Sequence, residues 1–234
     1  MQTSAAPTNL SRSDDRLVMT EEHPGHPEFD FSGGALCLDF CNTASTHVPL
    51  VNERLVDYAA LLEWGAQAGV LDERTRGGLE AAAIREPSAA AEALAGAREF
   101  RLALYELFSA AAAGRHGPPI ALETLDRTLH RALGHLHLVP SAPGYAWQWD
   151  LVRGGLDRFL APVAASAALV LTSPERLARV RVCDAETCQW TFLDRSRNGR
   201  RRWCDMSSCG NRAKAKRHYE RTRAASGADR PSPG

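Results

Sequence analysis

From Phe29 to about Thr172 the apolar positions recur mostly with a helical period, broken by short stretches of a different pattern. The period predicts a helix from Asn52, a capping residue, to about Ala68, with Leu55, Tyr58, Leu62 and Ala66 on its apolar side and Gly69 ending it. Asp72 is placed to cap a second segment to about Arg85, before Pro87. Ser88 is placed to cap a long helix through Ala113, with Leu94, Ala97, Leu104, Leu107, Phe108 and Ala111 as its buried stripe and Gly114 closing it. Two more helices are predicted, from about Pro119 to Leu133 and from about Gly155 to Leu171, and Ser173-Pro174-Glu175 reads as another helix start.

Three stretches read as strands. Ala35-Leu36-Cys37-Leu38-Asp39-Phe40, after Phe31-Ser32-Gly33-Gly34, is a short apolar run taken as a buried strand. That geometry sets Cys37 and Cys41 about 13 Å apart, too far for a bond or a shared metal, and leaves them as small buried residues. His135–Val139 and Tyr145–Trp149 alternate around a Pro-Ser-Ala-Pro-Gly turn and predict a hairpin. Trp190–Leu193 and Arg200–Trp203 predict a second, turning at Asn198-Gly199, because both residues tolerate positive φ. Gly210-Asn211 then reads as a turn and N-cap before a helix from Arg212 to about Arg223. The fold class is α+β: a mainly helical N-terminal domain (29–173) with a few short strands, and a small ribbon-like or treble-clef-like module with four cysteines (174–224). Residues 1–28 and 225–234, polar and without a hydrophobic period, are expected to be mobile.

With 234 residues, 44 % of them hydrophobic, the chain can bury a real core. Its net charge of zero hides a division: residues 1–174 carry 13 Arg against 21 Asp and Glu, a balance of −8, and the remainder balances at +8. An acidic body joined to a basic module points to a polyanionic partner for the module. The most apolar run, Leu160–Leu171, is far short of the roughly 20 residues that span a bilayer, so no membrane role is expected. The opening Met1-Gln2-Thr3-Ser4 has neither a basic n-region nor an apolar h-region, so a cytoplasmic protein is expected.

That compartment bears on the cysteines. Cys183, Cys188, Cys204 and Cys209 form two C-x4-C pairs fifteen residues apart. Disulfides would need an oxidising environment. An iron–sulfur cluster also takes four thiolates, but matched pairs held by a hairpin favour one tetrahedral Zn2+ site. Trp190 and Trp203 flank the ligands and read as core for a module too small to have much of its own, with base stacking as the alternative.

On a helical wheel Arg212, Lys216 and Arg223 cluster on one side of the last helix and Lys214, Arg217 and Arg221 nearly opposite, with Ala215, Tyr219 and Thr222 between. Two cationic edges around a narrow strip suit a helix that packs by that strip or enters a groove between two phosphate backbones. Arg195, Arg197, Arg200, Arg201 and Arg202 crowd one turn, where like charges repel unless something anionic neutralises them. The plainer account is a solvated surface helix with cations favoured late along its dipole. Asn211 is an N-cap on residue preference, with a base contact as its sharper role. Double-stranded DNA is preferred over RNA on groove geometry, and the small reach of one finger suggests a homodimer on a two-part site.

Asp39, Asn42 and Thr43, polar residues closing an apolar run, are candidates for binding a small-molecule effector, although Asx and Thr side chains cap turns readily. A pocket for it is expected among Leu36–Thr43, the long helix and the Tyr145–Trp149 strand. His135 and His137 share a strand face and with Asp39 suggest a second metal or acid/base site, but two histidines alone complete none. No Gly-rich phosphate loop, G-x-S-x-G or H-E-x-x-H occurs, which argues against an enzyme.

The run Gly33-Gly34-Ala35-Leu36-Cys37-Leu38-Asp39-Phe40-Cys41-Asn42-Thr43 resembles the opening signature of the ABATE domain, described as a stress-induced transcription regulator. Cys209-Gly210-Asn211-Arg212 resembles the tetrapeptide of the CGNR zinc finger, and the Asp194–Cys204 run fits that finger too. Together the resemblance spans about residues 29–220. It implies a bacterial, cytoplasmic regulator with a helical sensing or assembly domain and a DNA-binding finger. The alternative is a zinc-stabilised module for protein or RNA contacts, without sequence-specific DNA binding.

Overall fold

The computed structural model describes residues 28–47, 50–151 and 154–227; the ends expected to be mobile lie outside them but for Glu28 and the last turn of the final helix. In chain order the helices are α1 (Leu36–Cys41), α2 (Tyr58–Gln67), α3 (Glu73–Arg85), α4 (Pro87–Ala112), α5 (Pro119–Leu133), α6 (Ala161–Leu171), α7 (Pro174–Leu177) and α8 (Asn211–Gly227). The strands pair antiparallel in twos: β1 (Ser45–His47) with β2 (Leu50–Val51), β3 (Leu136–Ser141) with β4 (Gly144–Trp149), and β5 (Val180–Val182) with β6 (Thr191–Leu193). Among these residues no helix is long and apolar enough to cross a membrane.

α4 is the spine. Pro87 sits in its first turn, where no amide partner is lost, and Ala97, Phe100, Leu104, Leu107 and Phe108 form its buried face. Against that face pack α1, α2, α3, α5 and the β5–β6 pair. Phe40 from α1 meets Trp64 from α2 with ring centroids 4.8 Å apart, and Phe100 at 6.1 Å. Removing a fully buried side chain such as Leu104 by Leu104→Ala costs about 2–5 kcal/mol.

Several predicted boundaries hold: α3 is capped by the Asp72 side chain, α5 runs over the predicted residues, α7 is capped by Ser173, and the hairpin at Ala142-Pro143 forms. Others differ for physical reasons. The Leu36–Phe40 run is a helix, not a strand. A run buried on every side carries no period to separate the two, and Asp39 settles the matter by accepting the Gly33 amide at 2.8 Å in the first turn. A Cβ on Gly33 would lie 2.8 Å from that carboxylate oxygen and 3.0 Å from the Asp39 amide nitrogen, so any larger residue would have to displace them. Cys37 and Cys41 are therefore one turn apart, roughly 6 Å along the axis, and fully buried. Burial pushes the Cys37 thiol up to about 12 and Cys41 well above its ordinary value.

Asn52 is not a helix cap. It takes a positive φ of 54°, and Asp57 caps α2 by accepting the Ala60 amide. Leu55 is buried without being helical, because Arg98 of α4 holds its carbonyl at 2.6 Å. α4 starts at Pro87, ahead of Ser88. The segment from Gly155 makes a short 3-10 turn at Arg158–Leu160 before α6 begins at Ala161, because Pro162 is tolerated only in a first turn.

The largest correction concerns the C-terminal hairpin. Trp190–Leu193 does not pair with Arg200–Trp203; β6 pairs with β5, in the register Val180↔Leu193, Arg181↔Phe192 and Val182↔Thr191. Asp194 explains this. Its carboxylate accepts the Ser196 amide and hydroxyl through one oxygen and the Arg201 amide through the other, so the chain turns immediately after β6. Gly199 has the positive φ foreseen for the turn, but Arg200–Trp203 runs on as irregular chain.

Candidate metal centre and nucleic-acid interface

β5 and β6 carry the first cysteine pair in the loop between them. The Cys183 amide donates to the Trp190 carbonyl at 2.8 Å and the Cys188 amide to Ala185 at 2.9 Å, closing a tight knuckle with Gln189 at a φ of 54°. The second pair comes from the far end of the module. Cys204 follows the arginine-rich segment, which is tied to the knuckle by the Asp184 amide donating to the Arg202 carbonyl. Cys209 lies in a π-helical turn, Met206–Gly210, that leads directly into α8. Asp205 caps this turn by accepting the Ser208 amide at 2.8 Å. Hydrogen bonds from Ser207 and Ser208 hold its carboxyl down at about 2. Asn211, the predicted N-cap, is already in the first turn of α8, and its side-chain amide donates to the Ser207 carbonyl. The sequence did carry a signal for Asp205, a capping residue ahead of the turn, but Gly-Asn is the more familiar stop-and-start pair.

All four sulfur atoms lie within 4.8 Å of one another and are buried. The Cys188–Cys204 and Cys204–Cys209 separations are 3.6 and 3.8 Å. A tetrahedron with sulfurs about 2.3 Å from its centre has edges of about 3.8 Å, so the donor set fits a four-coordinate metal ion. Four thiols so close cannot each ionise unaided. Hydrogen bonds from Cys188 and Cys204 hold the Cys183 thiol far below its ordinary range, and their role as donors pushes Cys188 and Cys204 up. A divalent cation is what allows all four to be thiolates. Outside these four cysteines, the Arg212 guanidinium donates to the Cys209 sulfur at 3.2 Å, placing positive charge beside a centre that would carry about two negative ones with a divalent ion bound.

The centre is built into the rest of the chain. Val180 and Leu193 face the main core, while Phe192, on the other face of β6, packs with the cysteines. Asn42, at the end of α1, accepts the Thr191 amide and donates to the Thr191 carbonyl, both at 2.9 Å, as a neighbouring strand would. The Leu193 amide donates to the Gly33 carbonyl, Trp190 Nε1 to the Ala44 carbonyl and Arg195 to the Gly34 carbonyl. Thr43 donates to the Phe40 carbonyl and accepts from Arg101. Asp39, Asn42 and Thr43 are all buried, with their polar atoms engaged in these bonds. Among the described residues Asp39, His135 and His137 do not come together as a ligand set.

Residues 34–174, well over half of the chain, match the family profile described as "ABATE: Putative stress-induced transcription regulator". The chain belongs to the ABATE family. Residues 179–222 match the CGNR zinc finger. No curated protein gives a significant match. Neither matched family is an enzyme family.

The CGNR finger divides its cations into two groups. Arg195 is tied to Gly34, Arg201 donates to the Trp203 carbonyl and lies over the Phe192 ring, and Arg202 pairs with Asp184 at 2.6 Å. Lys216 faces Glu186 at 3.7 Å, and both Arg202 and Arg217 lie over the Trp203 ring, 5.3 and 5.7 Å from its centroid. Two arginines absent from the sequence-based candidates, Arg179 and Arg181, hold the turn by donating to the carbonyls of Asp194, Ser196 and Gly199. Their alternation with Val180 and Val182 was the available signal. Among the described residues Arg197, Arg200, Lys214, Arg221 and Arg223 have no acidic or hydrogen-bonding partner and are exposed. Ala215, Tyr219 and Thr222 of α8 are exposed, Tyr219 at 66 %, so the apolar strip of this helix does not pack among the described residues.

The ABATE domain has a groove of about 370 Å³ between α4, α5 and Gly155–Leu160, lined among others by Glu92, Glu99, Arg127 and Arg131. Of the segments expected to line a pocket, only the long helix does so. The charges there already face acids, Arg127 with Glu99 at 3.7 Å and Arg131 with Asp157 at 3.5 Å.

Proposed function

We propose that this ABATE protein is a transcriptional regulator that binds double-stranded DNA through its CGNR finger, with Zn2+ held by Cys183, Cys188, Cys204 and Cys209. The observation that carries the reading is the division of cations in the finger. Four acids there are already engaged, Asp184 with Arg202, Glu186 with Lys216, Asp194 in its turn and Asp205 in its cap, which leaves Glu220 as the one acid on α8 beside its cations. Five cations remain without a partner among the described residues, on the arginine turn and on an exposed helix that follows Cys209. A rigid, open, cationic helix suits a groove between phosphate backbones. Stacking on unpaired bases is less favoured, because Trp190 is bonded to the body and the Trp203 ring is already contacted by Arg202 and Arg217. Ligand sensing by the ABATE domain, the other half of the reading, has the α4–α5 groove as its place, and a metabolite bound there should raise the melting temperature.

The test is binding of the zinc-loaded full chain to its own upstream duplex, to random duplex and to single-stranded RNA across a salt series, with Cys204→Ser/Cys209→Ser as control. Preference for the upstream duplex, a steep loss of affinity with salt, and loss in the control are expected. Weak binding that ignores salt and the control substitutions would turn the finger into a protein-contact module.

A further inference from the structure

Three contacts fix which side of α8 is turned toward the rest of the finger. Arg212 donates to the Cys209 sulfur at 3.2 Å, Lys216 faces Glu186 at 3.7 Å, and Arg217 lies 5.7 Å from the centroid of the Trp203 ring. Ala213, between them on the helix surface, is half-buried, while the rest of residues 211–223 are exposed. At about 100° per residue these four positions span an arc of about 140°, and the opposite side is centred between Asn211 and His218, with Thr222 within about 30° of that centre. Lys214 and Arg221 border this outward line on one side and Arg223 on the other. Glu220, the one acid of the helix, falls on the finger side, away from any phosphate that the borders would meet.

The polar groups on the outward line differ in what they can offer. The Asn211 side-chain amide is turned back to the Ser207 carbonyl at 3.0 Å. The Thr222 hydroxyl donates to the His218 carbonyl at 3.1 Å, which leaves its methyl group as the part to offer a ligand. The His218 imidazole is exposed and has no partner among the described residues.

We propose that His218 and Thr222 are the residues by which α8 distinguishes one base pair from another, His218 by donating to N7 or O6 of a guanine and Thr222 by setting its methyl against that of a thymine. This rests on the DNA-binding reading above and names its specificity-determining residues. Phosphate contacts from the bordering cations orient the helix but carry no sequence information. Sequence is read from base edges, and the major groove, about 12 Å wide, presents them to one side of a helix whose borders lie against the two backbones. α8 has one side to give, because the finger occupies the other. His218 and Thr222 stand one turn apart, about 6 Å along the axis. Their preferences therefore fall about two base pairs apart, at roughly 3.4 Å per step.

The test is selection by the zinc-loaded full chain from duplexes with a randomised core, followed by sequencing of the bound fraction. Wild type should enrich a guanine and a thymine about two base pairs apart. His218→Ala should remove the guanine preference, on the order of tenfold, and keep the thymine. Thr222→Ser retains a hydroxyl for the backbone bond but lacks the methyl, and should do the reverse. His218→Gln should exchange guanine for adenine, whose N6 and N7 a side-chain amide meets. All three variants should keep the wild-type salt slope and melting temperature, whereas Lys214→Ala should weaken every duplex alike. A wild-type chain that binds duplex but enriches no sequence, or variants that keep its base preferences, would overturn the assignment and leave DNA binding standing. A wild-type chain that binds no duplex at all would overturn both.

Discussion

Asn42 does with its side chain what a neighbouring strand does with its backbone, and this sets its worth. It offers one acceptor and one donor to the two backbone groups of Thr191, and all of these atoms are buried. Asn42→Ala leaves a buried amide and a buried carbonyl without partners, which should lower the unfolding free energy by about 2–3 kcal/mol. Asn42→Asp keeps the acceptor but turns a carboxylate oxygen toward the Thr191 carbonyl, so it should be at least as damaging as alanine despite its shape. Denaturant unfolding of the three proteins measures this, and an aspartate variant as stable as wild type would show that the pairing contributes nothing. From the sequence this residue was legible as a polar group closing an apolar run. Its partner, 149 positions away, was not, because nothing local to Asn42 encodes a tertiary contact.

Among the elements, the segment between β2 and α2 is held to α4 by Glu53, whose carboxylate takes a two-pronged bond from the buried Arg101. Burial works against ionisation of Glu53, but the bond and charge of Arg101 outweigh it and hold its carboxyl below the usual range. A carboxyl lowered in the folded state adds stability above the ordinary carboxylate range and loses it as pH falls through the lowered value. Glu53→Gln should therefore cost about 2 kcal/mol at neutral pH, and the gap to wild type should shrink steadily below about pH 4. A gap that widens in acid would contradict the assignment. The β5–β6 pair carries a second consequence, since its two faces belong to two cores. Stripping the metal should loosen both, so that a chelator lowers the melting temperature of the far-UV helical signal, most of which comes from the ABATE domain. A helical transition that ignores the chelator would mean that the finger unfolds alone. The same elements show what patterning can encode. Long amphipathic helices with a cap or a proline at the start, such as α3 and α5, are written locally and were legible. α1 and β6 are buried on all sides or decided by a single side chain, Asp39 or Asp194, and their type and pairing were not.

At the scale of the whole molecule the charge division read from the sequence becomes a division of labour among cations, which no count of residues reveals. The crowding of five arginines on one turn suggested that all of them await a phosphate, yet three are engaged within the chain. On the proposed function the phosphate-facing set would be Arg197, Arg200, Lys214, Arg221 and Arg223. If all five release a counterion on duplex DNA, the slope of log affinity against log salt is about −4.5, and a rise from 50 to 200 mM salt weakens binding by about 500-fold. Lys214→Ala/Arg221→Ala removes two of them without touching a structural bond, so the slope should fall to about −2.7 with the melting temperature unchanged. Arg195→Ala should do the reverse. It removes the bond to the Gly34 carbonyl, so it should lower stability and leave the salt slope alone. Anisotropy titrations on one duplex, paired with thermal unfolding of each variant, separate the two groups. Equal slopes for wild type and the Lys214→Ala/Arg221→Ala protein would mean that α8 does not lie against the phosphate backbone, and the cationic surface would have to be sought on the turn alone.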